Sequence, residues 1–159
     1  MGNKEDKSGG RKTVTVNRRA RHDYFIDDTY AAGLVLVGTE VKSLRAGRVN
    51  LTGAFAQFDR NNELFLYGAH ISPHAEGNRF NVEPLRPRKL LLTRRELDRL
   101  AGVVQQKGLT LIPLSIYFER GFAKLELGVG RGKKLYDKRE AIADRDRERE
   151  ARREFAGRE

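Results

Sequence analysis

Apolar positions are concentrated in the middle of this chain, in short runs broken by Gly, Asp and Asn, and both ends are almost wholly polar. Residues 1–13 are rich in Gly, Ser and Lys and read as a flexible leader. Val14 and Val16 then begin a short strand or arm that leads into Asn17-Arg18-Arg19-Ala20-Arg21-His22. Tyr24-Phe25-Ile26 and Leu34-Val35-Leu36-Val37 are strand-like runs, separated by the polar Asp27-Asp28-Thr29 and bounded by Gly33 and Gly38. The period then changes: Thr39 is placed to cap a short helix with Val41 and Leu44 on one face, and Gly47 is placed to end it.

Residues 54–58 and 63–67 flank Asp59-Arg60-Asn61-Asn62, a tetrapeptide of the kind that joins antiparallel strands. Residues 73–89 hold Pro73, Pro84 and Pro87 and read as a long loop. Thr93-Arg94-Arg95-Glu96 is a capping box, and Leu97, Leu100, Ala101 and Val104 follow at helical spacing until Lys107-Gly108 closes the segment. Residues 109–118 read as a strand in which Pro113 marks an edge or a bulge, and residues 122–129 as its partner across the turn Glu119-Arg120-Gly121. These elements predict a mainly β fold: a small OB-like antiparallel barrel over 14–129 with two or three short helices, then a disordered basic C-terminal tail over 130–159.

A chain of 159 residues has room for one core with extensions, and no internal repeat is visible. The formal charge of +10 divides unevenly, with +5 over residues 1–22, +2 over 23–129 and +3 over 130–159. A near-neutral body with basic ends suits a polyanion, nucleic acid before an anionic membrane, because each Lys or Arg that neutralises a phosphate releases counterions. With no cysteine, disulfides, thiolate catalysis and Cys-based zinc sites are excluded. No run of 18 apolar residues and no apolar core of signal-peptide length occurs, so a soluble, cytoplasmic protein is expected.

Candidate chemistry is sparse. His70 and His74 have a metal-like spacing, but Pro73 lies between them and no third ligand stands nearby, so a structural role is expected and no metal or other cofactor. The run from Gly128 to Lys133 fails the phosphate-loop spacing and reads as a hinge between barrel and tail. No nucleophile motif or carboxylate pair appears, and no enzyme is expected. Arg86, Arg88, Lys89, Arg94 and Arg95 gather five cations near the start of the capped helix; a phosphate contact and a plainly solvated surface are evenly balanced readings of them.

The tail has hardly any apolar residue to offset the entropy of ordering it. Like charges recur at i,i+4 (Asp144/Glu148, Arg145/Arg149, Asp146/Glu150), which opposes an isolated helix. On a helix, however, Lys134, Lys138, Arg145, Arg149 and Arg152 fall within about 60° of one another and form one basic stripe. Phosphate along that stripe would turn repulsion into attraction, so the tail is expected to be disordered when free and helical on RNA, against a bland alternative in which it never folds.

Four separated stretches resemble one known family: Asn17-Arg18-Arg19-Ala20-Arg21-His22-Asp23-Tyr24-Phe25-Ile26, Gly38-Thr39-Glu40-Val41-Lys42-Ser43-Leu44-Arg45-Ala46-Gly47, Arg88-Lys89-Leu90-Leu91-Leu92 and Gly132-Lys133-Lys134-Leu135-Tyr136-Asp137-Lys138-Arg139. On these the chain is similar to the SsrA-binding (small protein B) proteins of bacterial trans-translation. The resemblance implies an OB-like barrel that binds the tRNA-like domain of transfer-messenger RNA (tmRNA, or SsrA RNA) and, with elongation factor Tu, helps bring it to stalled ribosomes for rescue. It assigns the tmRNA contact to Asn17, Arg19, His22, Leu91 and Lys124. It places the tail in the empty mRNA channel and decoding centre of the small subunit, through Gly132, Lys133, Lys134, Tyr136, Asp137, Lys138 and Arg139, with Arg145, Arg149 and Arg152 on the basic stripe. Tyr136 matches an aromatic position suited to stacking on a base. The chain departs from some relatives at Ala31, Thr93 and Tyr136. A general single-strand RNA or ribosome-associated OB-fold protein is the alternative.

Overall fold

The computed structural model describes residues 10–74 and 81–133. Its elements in chain order are β1 (Arg11–Val16), α1 (Ala20–Asp23), β2 (Tyr24–Leu34), α2 (Gly38–Arg45), β3 (Val49–Asn50), β4 (Phe55–Phe58), β5 (Leu64–Tyr67), β6 (His70–Ile71), β7 (Arg88–Leu91), α3 (Arg94–Lys107), β8 (Thr110–Glu119) and β9 (Phe122–Gly132). Every strand pairing is antiparallel. The order β8-β4-β5-β7-β2-β9 returns to β8, so the main sheet curls into a ring, closed between β4 and β8 by the single pair Ala56 and Leu111. β1 adds to the outer part of β8, and β3 pairs with β6 apart from the ring. The fold is the small OB-like barrel the sequence predicts, with three helices.

Local chemistry explains most elements. In the β4–β5 hairpin the Asp59 carboxylate accepts from the N–H groups of Asn61 and Glu63, and Asn62 takes the left-handed conformation, φ 59°. The β8–β9 turn is tighter: Arg120 and Gly121 both have positive φ, which matches the strand twist. Thr93 and Glu96 form the reciprocal cap of α3, Leu100 is fully buried, and Gly108 ends the helix in the left-handed region. Inward-facing residues of the six ring strands, among them Ala32, Ala56, Leu64, Leu66, Leu90, Ile116, Leu125 and Leu127, build one core with Leu44 of α2 and Leu100 of α3.

Several expectations need correction. The polar Asp27-Asp28-Thr29 does not divide two strands: β2 is continuous from Tyr24, and a bulge between Ile26 and Asp28 absorbs the polar residues. Val37, not Thr39, is the N-cap of α2, because the Glu40 side chain reaches back to accept from the Val37 N–H. The leader ends earlier than residue 13, since Arg11 already pairs with Glu119. The tail begins later than residue 130, since Gly130, Arg131 and Gly132 continue β9 against Ile26, Phe25 and Tyr24. The long loop stops at Pro87, with Arg88 and Lys89 inside β7.

Gly128 and Gly130, read as part of a hinge, are strand positions where a neighbour passes close. A Cβ on Gly130 would lie 2.2 Å from the backbone oxygen of Phe25, and one on Gly128 would lie 3.0 Å from the Leu114 side chain. Leu114 is the extra residue of a bulge that follows Pro113. Leu114 shares the outward face of Ile112, two residues before it, in a second small cluster with Ala20, against which Tyr24 and Ile26 pack, and the extra residue returns Ile116 and Phe118 to the main core. That cluster seats α1.

Candidate nucleic-acid interface

Three of the residues singled out from sequence, Asn17, Arg19 and His22, gather at the one-turn helix α1: His22 lies in it and Arg19 is its N-cap. Asn17, just before it, is half-buried. Its backbone N–H donates to Leu114 O at 2.8 Å and its side-chain Nδ2 donates to Pro113 O at 2.9 Å, so Asn17 fastens the start of α1 to the β8 bulge. Arg19 and His22 are both exposed and share one carboxylate: Arg19 Nε lies 3.7 Å from Asp23 Oδ2, and His22 Nδ1 lies 2.9 Å from Asp23 Oδ1. An acceptor that fixes two donors while leaving both in solvent reduces the side-chain entropy an RNA contact must overcome.

Leu91 and Lys124 lie on the barrel wall. Gly33 of β2 is opposite Leu91 of β7 on one side and opposite Lys124 of β9 on the other, so both side chains stand on the same outer face. Gly33 leaves that row open, and a Cβ there would come 3.2 Å from the Leu91 Cβ. Leu91 is 53 % exposed, an apolar end to a row whose other end is a cation. Beyond Lys124 the row continues to Tyr117, whose buried ring has the Arg11 guanidinium 3.7 Å from its centroid.

One ion pair ties this wall to α1. Arg21 Nη2 lies 3.9 Å from Glu126 Oε1, and Glu126 is two residues along β9 from Lys124, on the same face. Glu126 also faces Ala31 across the β2–β9 ladder, so the carboxylate on this row is supplied by β9. The exposed donors of α1 and the Leu91–Lys124 row therefore form one side of the barrel.

The cation cluster around β7 does something else. Arg88 is fully buried: Nε donates to Glu40 Oε2 at 2.7 Å, and Nη1 donates to the backbone oxygens of Ala69 at 2.8 Å and Pro84 at 2.9 Å. Arg86 Nη2 bonds the other Glu40 oxygen at 2.5 Å. Burial pushes the Glu40 carboxyl up, but hydrogen bonds from Arg86, the Val37 N–H and Arg88 outweigh it and hold the group below its ordinary value. Burial draws the Arg88 guanidinium down, against the opposing pull of Glu40. Lys89 pairs with Glu63 at 3.3 Å and Arg94 with Asp98 at 3.2 Å. Arg86 and Arg88 thus form an internal clamp between α2, the proline loop and β7, with Arg88 out of reach of any phosphate, while Lys89, Arg94 and Arg95 remain on the surface.

Among the described residues no group of three His, Asp or Glu side chains comes together that could hold a metal, and no helix is long and apolar enough to cross a membrane.

Comparison with known proteins settles the family. The profile described as "SmpB protein" matches residues 14–157. A protein named SsrA-binding protein from Moorella thermoacetica is 62 % identical over 140 residues, which cover 87 % of this chain and 90 % of that one. Another of the same name, from Caldicellulosiruptor bescii, is 58 % identical over 151 residues, covering 95 % of each. The chain belongs to the SmpB family. A chain of a solved structure described as "tmRNA-SmpB: a journey to the center of the bacterial ribosome" is 60 % identical, with a TM-score of 0.63, and the match covers 75 % of this chain and 83 % of the other.

In this chain the five barrel positions fall into two groups on one side, Asn17, Arg19 and His22 at α1 and Leu91 with Lys124 on the wall. Sequence reasoning missed Arg21 and Glu126, which join the groups; a basic residue between two candidates was visible, but its partner more than a hundred residues away was not. Of the tail positions, Gly132 is the last residue of β9 and Lys133 follows it. Lys134, Tyr136, Asp137, Lys138, Arg139, Arg145, Arg149 and Arg152 lie outside the described residues, as does the expected tail helix.

Proposed function

We propose that this chain is the protein adaptor of trans-translation: it binds the tRNA-like part of tmRNA and helps deliver it to stalled ribosomes, acting by binding and not by catalysis. Arg19, His22, Leu91 and Lys124 contact the RNA, and Asn17 holds α1 in place for them. Residues 134–159, with Lys134, Tyr136 and the Asp137-Lys138-Arg139 element, enter the empty mRNA channel and decoding centre. Delivery takes place in the cytoplasm in company with elongation factor Tu. The observation that carries the reading is a solved chain, 60 % identical, described with tmRNA and the bacterial ribosome. The single RNA-facing side and the net charge of +10 agree with it.

A gel-shift competition of tmRNA against tRNA across a salt series tests the first surface. The expected result is a preference for tmRNA that survives moderate salt, with a log–log slope of about 0.9 per phosphate neutralised. Equal affinity for tmRNA and bulk RNA would instead indicate a general RNA-binding protein. For the second surface, deletion of residues 134–159 is expected to leave tmRNA affinity within about threefold, less than 1 kcal/mol, while abolishing tagging of nascent chains.

A further inference from the structure

Lys133 is the last described residue and the point from which residues 134–159 depart. Its side chain does not extend freely into solvent. Nζ donates to the backbone oxygen of Arg21 at 3.1 Å and stands 5.0 Å from the centroid of the Phe25 ring. Both partners belong to the RNA-facing end of the barrel: Arg21 lies in α1 between Ala20 and His22, and Phe25 is the second residue of β2. A one-turn helix leaves most of its carbonyls without intrahelical partners, and an ammonium is a fitting donor for one of them. The aromatic face adds attraction for the same charge.

The backbone below is stiff as well. Gly132 is opposite Tyr24 and Arg131 opposite Phe25, while Gly130 packs so closely on Phe25 that no side chain fits. The strand is fixed as far as Gly132, and Lys133, where the two contacts act, follows it directly. From this we infer that Lys133 is a positioning residue: docked on α1 and Phe25, it sets the direction in which residues 134–159 leave the barrel and couples the RNA-side helix to the ribosome-side tail. A displacement of α1 on binding RNA reaches residue 133 through one hydrogen bond, with no intervening element. The coupling rests on the two-surface reading above.

The test uses the full chain. Because it has no cysteine, Arg95→Cys on exposed α3 and Glu140→Cys in the tail give unique spin-label sites. Three variants separate the roles: Lys133→Met removes charge and donor, Lys133→Arg keeps both, and Phe25→Leu removes the ring while leaving Lys133 itself. Lys133→Met and Phe25→Leu are each expected to broaden the spin–spin distance distribution and to lower tagging about fivefold, the scale of one weak hydrogen bond or cation–π contact. Affinity for tmRNA should stay within about twofold, Lys133→Arg should behave as wild type, and the double variant should be no worse than the weaker single. Unchanged distance distributions would overturn the proposal. So would loss of tagging in Lys133→Met with full tagging in Phe25→Leu, because Lys133 would then act through its own charge on the ribosome. Should the wild type show no preference for tmRNA, the functional reading falls, and the spin-label comparison still decides the anchor.

Discussion

Replacing Arg88 by Met keeps the length of the side chain and removes its donors. Glu40 keeps Arg86 and the Val37 N–H but loses its buried counter-cation, and the oxygens of Ala69 and Pro84 lose their donor. Removing one member of a buried ion pair costs about 3–5 kcal/mol, a large part of the roughly 5–15 kcal/mol that holds a domain folded. For a domain of this size, at roughly 3–5 °C per kcal/mol, Tm should fall by about 10–20 °C. The sign of the pH dependence follows from Glu40. Its folded carboxyl lies below its ordinary value of 4.5, so in the wild type its contribution is complete above that pH and is lost as pH falls through the folded pKa. In Arg88→Met the balance tips toward burial and the carboxyl rises, so the variant protonates first and the Tm gap to wild type should narrow as pH falls from about 7 to 4. Adding Glu40→Gln should recover part of the loss at neutral pH by removing the stranded charge. Thermal melts by circular dichroism at several pH values measure all of this. A single variant melting within about 3 °C of wild type at pH 7, under about 1 kcal/mol, would refute the clamp, as would a gap that widens on acidification.

Two glycines should respond in opposite ways. Gly130→Ala places a methyl where the Phe25 oxygen already lies, and is expected to cost more than about 3 kcal/mol or to prevent folding. Gly102→Ala, in α3 with nothing within 4 Å of the new Cβ, should stabilise by up to about 1 kcal/mol; chemical denaturation of both reads the contrast. Asn17→Ala should lower Tm by several degrees through loss of the Pro113 bond, about 1 kcal/mol, and weaken tmRNA binding with it, while Arg19→Ala weakens binding at unchanged Tm. An Asn17→Ala protein with wild-type Tm and weak binding would make Asn17 a direct contact.

The elements legible in the sequence are those whose signal is local. The Thr93–Glu96 cap, the Asp59 turn and the helical stripe through Leu100 all lie within one or two turns of chain. The errors arose where one sequence pattern serves two geometries. Glycine at 128 and 130 looks the same whether the backbone must bend or must let a neighbour approach, and only the position of Leu114 and Phe25 decides. Asp27 and Asp28 look like a break between strands, yet a bulge lets them face solvent without ending β2. Of the five cations near α3, Arg86 and Arg88 turn inward onto Glu40, which lies 48 residues from Arg88 and leaves no local sign of it. In the same way the family resemblance named Leu91 and Lys124, but only the register through Gly33 shows that they stand on one face.

The boundary between barrel and tail is where structure changes the argument most. Charge places it at residue 130, strand pairing after residue 132. The three residues between are paired with Tyr24, Phe25 and Ile26, and Tyr24 and Ile26 pack on the small core of Ala20, Ile112 and Leu114 that seats α1. A deletion beginning at 130 would therefore strip the backbone partners of the very segment that holds Arg19 and His22 in place, and it should weaken tmRNA binding for a reason unrelated to the tail. A deletion beginning at 134 leaves those pairs whole. If the two surfaces are separate in function, the two truncations must differ in tmRNA affinity while agreeing in lost tagging. Equal affinities would mean that the last three residues of β9 contribute nothing to the seat of α1.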